Sequence, residues 1–399
     1  MIMLKFEEAL KKIFEIETFI DCEEIHIKNS FGRVVAEDVF TDRMFPDVQK
    51  SAVDGYAVCG GNLDRFKLVK TSGITDIPGS ISVGEAVFVM TGGMVPEGAV
   101  AVLRVEDCMV ENNFIFYNKK INPGENINQI GEESKKGELI VKKGTIVNER
   151  VFSALAYAGV KKLNVFCLPK VAFFTTGDEI LNIDDEYRPG FIFDTNRYIF
   201  EKAAKRLGID VYFYKNIKDN EESISKAIHE LSKNYDILVT SGGISMGKYD
   251  FVKKVLNEQN YEVLINKTSI KPGSPLMVAQ GEKSVIFGLP GYPAAFLTNM
   301  FLYLIPFLKK SMGVADYGHK FLKGVLKGKM HSRKTADYFN RAIVKVHSGR
   351  FEVFDANSQK TSHFLNFANC NGLFRIPEGV GDVDEGFEGD LLLFDLELS

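Results

Sequence analysis

The sequence predicts a multidomain α/β plus β protein: a doubly wound parallel α/β domain between an N-terminal mixed and β region and a small C-terminal β-barrel-like domain. Three observations predict it. Residues 169–312 alternate apolar strand-like runs with helical segments, the pattern of a parallel sheet joined by crossover helices. Residues 46–120 carry short strand-like runs between glycine clusters, and residues 316–399 do the same. A chain of 399 residues is also too long for one ordinary core.

Residues 1–16 read as an amphipathic helix, with Phe6, Leu10, Ile13 and Phe14 on one face and charges elsewhere. The turn-rich segment 46–120 is expected as a small β domain inserted into a discontinuous first domain, residues 1–45 and 121–168. The α/β domain is placed at 169–315 and the last β domain at 316–399. Within the α/β domain, residues 171–175 form an apolar run. Residues 195–207 read as a helix stopped by Gly208. A strand at 209–214 and a helix at 221–233 follow, the latter with Ile224, Ile228 and Leu231 at helical spacing. A buried strand at 236–240 runs into Ser241-Gly242-Gly243, and a strand at 284–287 precedes Pro290 and a helix from Ala294. In such sheets ligands bind beyond the carboxyl ends of the strands.

Composition narrows the function classes. Lys plus Arg total 49 against 53 Asp plus Glu, a net of −4, which gives no electrostatic footprint for nucleic acid. The five cysteines are odd in number and widely spaced, so neither a disulfide frame nor a zinc cage is indicated. The apolar stretch 294–308 is short for a membrane span and contains Thr298, Asn299 and Pro306. No secretory signal is read, so a cytoplasmic location without membrane attachment is expected.

The chemistry-bearing residues gather at four predicted strand ends. In residues 236–250, Gly242 and Gly243 let backbone N–H groups approach an anion, with the Ser245 hydroxyl and Asp250 carboxylate just beyond. A tight strand-to-helix turn would explain the two glycines equally well. Thr176-Gly177-Asp178-Glu179 places adjacent acids at the same edge, a setting that suits magnesium. Lys267 and Lys271, the latter before a Pro-Gly turn, can neutralise an oxyanion. Gly288 to Phe296, with Pro290 and Pro293 about Gly291 and Tyr292, makes a stiff loop at a helix start. Outside this domain, Asp54 stands between apolar residues and Gly55, an awkward setting for an idle charge.

Taken together these segments resemble the molybdopterin molybdenumtransferase family, the MoeA proteins, which include the E domain of gephyrin. The ordered set runs from residues 51–57 (SAVDGYA) through 91–93 (TGG), 131–133 (GEE), 176–179 (TGDE) and 194–196 (DTN). It continues with 241–247 (SGGISMG), 271–273 (KPG) and 288–293 (GLPGYP). The resemblance implies an elongated four-domain homodimer whose cleft takes residues from both subunits. It also implies insertion of molybdate into adenylylated molybdopterin, with magnesium assisting and AMP leaving. Transient contact with the molybdopterin adenylyltransferase and with recipient molybdoenzymes fits that role. By matching position, Asp54, Thr91, Glu179, Asp219 and Asp250 are the implied catalytic residues, with Glu179 and Asp250 holding the metal. Gly242, Gly243, Ser245, Lys267, Lys271, Pro290, Pro293, Arg341 and Ser362 are the implied substrate contacts. The sequence departs from the family at Glu133 (usually Asp), Asn128 (Arg nearby), Lys248 (an acid), Ser274 (Lys) and Tyr292 (Asn), which leaves molybdate against tungstate open. Adenylylation of molybdopterin and a non-catalytic scaffold are the rival functions.

Overall fold

The computed structural model describes residues 3–18, 20–61, 63–243 and 251–398. Ser245 and Asp250 therefore lie outside the described residues. The chain divides into two compact units, one of residues 38–142 and 153–160, the other of residues 1–37, 143–152 and 161–399.

The smaller unit is built on a six-stranded sheet. Its strands are β1 (Gly55–Val58), β2 (Arg65–Ser72), β3 (Glu85–Val89), β4 (Ala101–Arg104), β5 (Met109–Glu111) and β6 (Phe114–Phe116). They lie in the order β4-β1-β3-β2-β6-β5. Period-two alternation sends Val58, Ala86 and Leu103 into one core and Ala57, Val87 and Val102 into another, so both faces are covered. Gly55 is required where β1 meets β4, because a Cβ there would stand 2.3 Å from the Leu103 carbonyl oxygen.

The larger unit opens with α1 (Phe6–Glu15), whose Phe6, Ala9 and Ile13 are buried. Full burial of Phe6 and Ile13 contributes about 1.5–3 kcal/mol each, which ties this short helix to the core. The α/β domain comprises β7 (Val171–Thr176), β8 (Val211–Ile217), β9 (Ile237–Ser241), β10 (Glu262–Lys267), β11 (Pro275–Gln280) and β12 (Val285–Leu289), in the order β8-β7-β9-β12-β11-β10. Val171, Phe173, Ile237, Val239 and Phe287 face one core, while Ala172, Phe174, Leu238 and Ile286 face the other. The first core receives α1 and α2 (Thr195–Arg206); the second receives α3 (Glu221–Leu231) and α4 (Phe251–Glu258).

The expectation of a parallel sheet holds for β8, β7, β9 and β12. It fails for β11, which is antiparallel to both β12 and β10. The reason is the connection: Gly281 N–H donates to Ser284 O at 2.9 Å, closing a turn far too short for a parallel crossover. The helix after β12 is also interrupted. α5 (Pro293–Asn299) passes through a π-helical segment, Met300–Leu304, into α6 (Ile305–Ser311). Pro306 has no N–H for the Leu302 carbonyl, and that carbonyl instead accepts from His319 Nε2 at 2.9 Å.

A closed barrel ends the chain. It contains β13 (Leu322–Leu326), β14 (Asp337–His347), β15 (Arg350–Asp355), β16 (Gly372–Ile376) and β17 (Glu388–Leu393). Pairing runs β14-β15-β13-β17-β16 and returns to β14, so all five strands close around Leu326, Ala342, Val353, Phe374 and Leu391. Among the described residues no helix is long and apolar enough to cross a membrane.

Candidate active site

The carboxyl ends of β7, β8, β9 and β12 converge on a cleft of about 800 Å³ within the larger unit. Thr176 to Glu179 enter it from β7, Asp219 from β8, Ser241 to Gly243 from β9, and Gly291 to Pro293 from β12. The start of α2 supplies Asp194, Thr195 and Asn196.

Buried polar side chains fix these loops to one another. Asp194 caps α2 through the Arg197 N–H at 3.0 Å and accepts from the Thr175 hydroxyl at 2.6 Å. Asn196, 5 % exposed, donates through Nδ2 to Ser241 Oγ at 2.7 Å and to the Gly291 carbonyl at 2.8 Å. That carbonyl can only accept, so the orientation of the amide is settled. Asn216 Nδ2 donates to the carbonyls of Gly177 at 3.0 Å and Ile180 at 3.3 Å, tying the acidic loop to β8. The sequence reading assigned no role to Asn196 or Asn216. For Asn196 the signal was its place two residues after the helix-capping Asp194, on a strand-to-helix loop.

The glycine turn is tighter than a phosphate cradle alone requires. Gly242 has φ +90°, and a Cβ there would meet the Thr176 carbonyl oxygen at 2.8 Å. Its N–H already donates to Leu289 O at 3.1 Å. Of the two glycine N–H groups expected to hold an anion, only that of Gly243 has no acceptor among the described residues. The backbone geometry therefore accounts for Gly242 without a ligand, and Gly243 carries what remains of the anion-binding expectation.

Beside the turn stands a set of acids with no ion-pair partner among the described residues. A Cβ at Gly243 would lie 3.6 Å from Asp219 Oδ1, which puts this carboxylate against the turn. Burial first, then repulsion from Glu179 and Asp178, raises the Asp219 carboxyl above its ordinary value. No ion pair to Asp178, Glu179 or Asp219 is found among the described residues. Hard carboxylate oxygens that repel one another suit magnesium, which is usually held by one or two carboxylates together with substrate phosphates. The described residues offer no set of three His, Cys, Asp or Glu placed to hold a metal by themselves. The donors present fit an ion that shares its ligands with substrate.

The raised Asp219 carboxyl has a measurable consequence. The folded chain keeps this proton to higher pH than the unfolded chain, so stability falls as pH rises from about 3.9 through the folded value. Asp219→Asn should therefore melt a few degrees higher than the parent at neutral pH, with the gap closing near pH 4. Magnesium should raise the parent's Tm and leave the variant's nearly unchanged. Equal melts across that range would mean that Asp219 is not under charge stress.

Other expected residues fall elsewhere. Pro293 lines the cleft, while Pro290 is buried behind it. Lys267 ends β10, and Lys271 lies in the two-residue strand Ile270–Lys271, which pairs with the start of β14. Both sit toward the β10 side of the larger unit, and neither lines the cleft. Arg341, expected to contact substrate, is 1 % exposed on β14. Its guanidinium donates to the carbonyls of His363 at 2.5 Å, Ser358 at 2.7 Å and Lys360 at 3.0 Å. Its place is that of a staple under the loop that presents exposed Ser362.

In the smaller unit the expected pair Asp54 and Thr91 comes together. The Thr91 N–H and hydroxyl both donate to Asp54 Oδ1, at 2.7 and 2.9 Å. These bonds, the backbone one first, hold the exposed carboxyl below its ordinary value.

Comparison with known proteins agrees across the chain. Residues 4–159 match the family profile "MoeA N-terminal region (domain I and II)", residues 172–310 "Probable molybdopterin binding domain", and residues 323–394 "MoeA C-terminal region (domain IV)". A molybdopterin molybdenumtransferase of Staphylococcus aureus is 29% identical over 397 residues, covering 97% of this chain and 94% of that protein. One from Staphylococcus epidermidis is 28% identical over 399 residues, covering 98% and 95%. The solved structure of a molybdopterin biosynthesis MoeA protein from Pyrococcus horikosii superposes with a TM-score of 0.84 at 30% identity, covering 98% of this chain and 99% of that one. The chain belongs to the molybdopterin molybdenumtransferase (MoeA) family.

Proposed function

We propose that the chain inserts molybdate into adenylylated molybdopterin and releases AMP. The observation that carries this reading is the placement of Asp219 against Gly243, with Glu179 and Asp178 close enough to repel it. Phosphoanhydride cleavage asks a protein for positioning and charge neutralisation more than for covalent help. Gly243 N–H meets a phosphate oxygen, and the stiff Gly291–Pro293 loop fixes the adjoining wall. Glu179 and Asp219 would hold magnesium, joined by Asp250 from outside the described residues; bound there, the ion neutralises charge building on the phosphates. Lys267 and Lys271, on the β10 side of the same unit, would meet the tetrahedral oxyanion. Arg341 would act through the loop it staples, which presents Ser362 to substrate.

The reading keeps a homodimer in which Asp54 and Thr91 serve the cleft of the other subunit. Exposed apolar side chains on the smaller unit, Phe40, Leu139 and Tyr157, supply surface for such an interface. It also keeps the four-domain division, the cytoplasm as location, and transient contact with the adenylyltransferase and recipient enzymes.

The test is an assay with purified adenylylated molybdopterin, molybdate and magnesium. AMP release coupled to molybdenum incorporation is expected. Adenylylation of molybdopterin from ATP without incorporation would favour the adenylyltransferase, and loss of both activities the scaffold.

A further inference from the structure

Beside the acids and hydroxyls that line the cleft, Tyr292 in its wall is 62 % exposed and Ile192 is 51 % exposed. A single exposed tyrosine is ordinary on a protein surface. Tyr292 differs in how firmly its backbone is held. Pro290 before it is buried, the Gly291 carbonyl is held by Asn196, and Pro293 after it starts α5. Tyr292 itself has extended backbone angles, φ −67° and ψ 123°, as the residue preceding that helix. Among the described residues no aromatic ring packs against it.

Its position relative to the glycine turn matters more. A Cβ at Gly291 would lie 3.8 Å from Gly242 Cα, and Asn196 bridges Ser241 and Gly291, so the tyrosine loop runs beside the turn. Tyr292 begins one residue, about 3.8 Å of backbone, from that point of close approach. A phosphate at Gly243 and a flat ring on Tyr292 would thus belong to a single ligand. From this geometry we propose that Tyr292 is a specificity-determining residue that stacks on a heteroaromatic ring of the substrate. The inference rests on the proposed function, whose substrate carries two such rings, an adenine and a pterin. Stacking is tolerant of ring identity because every such ring has a π face, and the rigid loop lowers the ordering cost.

Isothermal titration calorimetry of the full chain with magnesium tests it, using AMP, ribose 5-phosphate and 6-hydroxymethylpterin as probes. Tyr292→Phe should bind within about twofold of the parent, because the ring is retained. Tyr292→Ala should weaken the stacked ligand roughly 5- to 100-fold, and Tyr292→Leu should lie between. Ribose 5-phosphate, which has no base, should bind all four proteins alike. A loss confined to AMP assigns the ring as adenine, and a loss confined to the pterin assigns the pterin. If the parent binds AMP or the pterin and Tyr292→Ala binds as well, the stacking is overturned while the reading of the cleft stands. If the parent binds neither, the reading of the cleft falls and the stacking with it.

Discussion

Glu179→Gln should slow magnesium-dependent release of AMP about 100- to 1,000-fold, with little change in the affinity for adenylylated molybdopterin. The exchange keeps volume and shape and removes one charge from the set that repels Asp219. Two effects separate in the same variant. Losing Glu179 relieves Asp219, so its carboxyl should fall toward its ordinary value and the pH dependence of stability should flatten. Losing a carboxylate also weakens the hold on a divalent ion, so the rate should recover partly as magnesium is raised. Single-turnover AMP release across a magnesium titration measures both. A parent-like rate at limiting magnesium would leave Glu179 as a loop acid with no part in the chemistry.

How far the site could be read from sequence depended on which property was asked for. Three of the four expected strand-end loops were legible because a buried apolar run followed by glycine, or by adjacent acids, marks the carboxyl edge of an α/β sheet. The structure brings the ends of β7, β9 and β12 together in that way, whereas Lys267 and Lys271 do not line the cleft and the end of β8, with Asp219, was not among the four. Strands β10 and β11 were not read. The hairpin turn from β11 into β12, Gly281 to Ser284, lies where a parallel sheet would need a helix, and spacing alone did not separate the two. Side-chain assignments went astray where donors are consumed internally. Arg341 stands in an apolar strand run between Phe339 and Val344, a setting that favours a buried staple over a substrate contact. Gly242 was likewise read as an anion contact, although its N–H is taken by Leu289. Residue type showed which groups have binding capacity; only the fold shows which of them remain free.

Asp54→Asn should lower molybdenum incorporation at least about 100-fold while leaving the melting temperature and AMP binding at parental values. The geometry makes this variant unusually clean. Both Thr91 donors converge on the one oxygen Oδ1, and an asparagine carbonyl oxygen can accept the same two bonds. The loop should hold its shape, and the charge alone is removed. Because Asp54 is exposed on its own unit, no buried group is left unsatisfied and the fold has little reason to respond. The parent adds a pH signature of known sign. Thr91 keeps the Asp54 carboxyl below its ordinary value, so the group stays ionised as pH falls through the ordinary carboxylate range. Thr91→Val removes the hydroxyl bond and keeps the backbone one, so the acidic limb of the incorporation profile should move toward higher pH, with a smaller loss of rate at neutrality. Molybdenum incorporation measured beside AMP release distinguishes the outcomes. If Asp54→Asn incorporates molybdenum at the parental rate, the carboxylate is a cap for the Thr91 backbone and has no charge to contribute across the cleft.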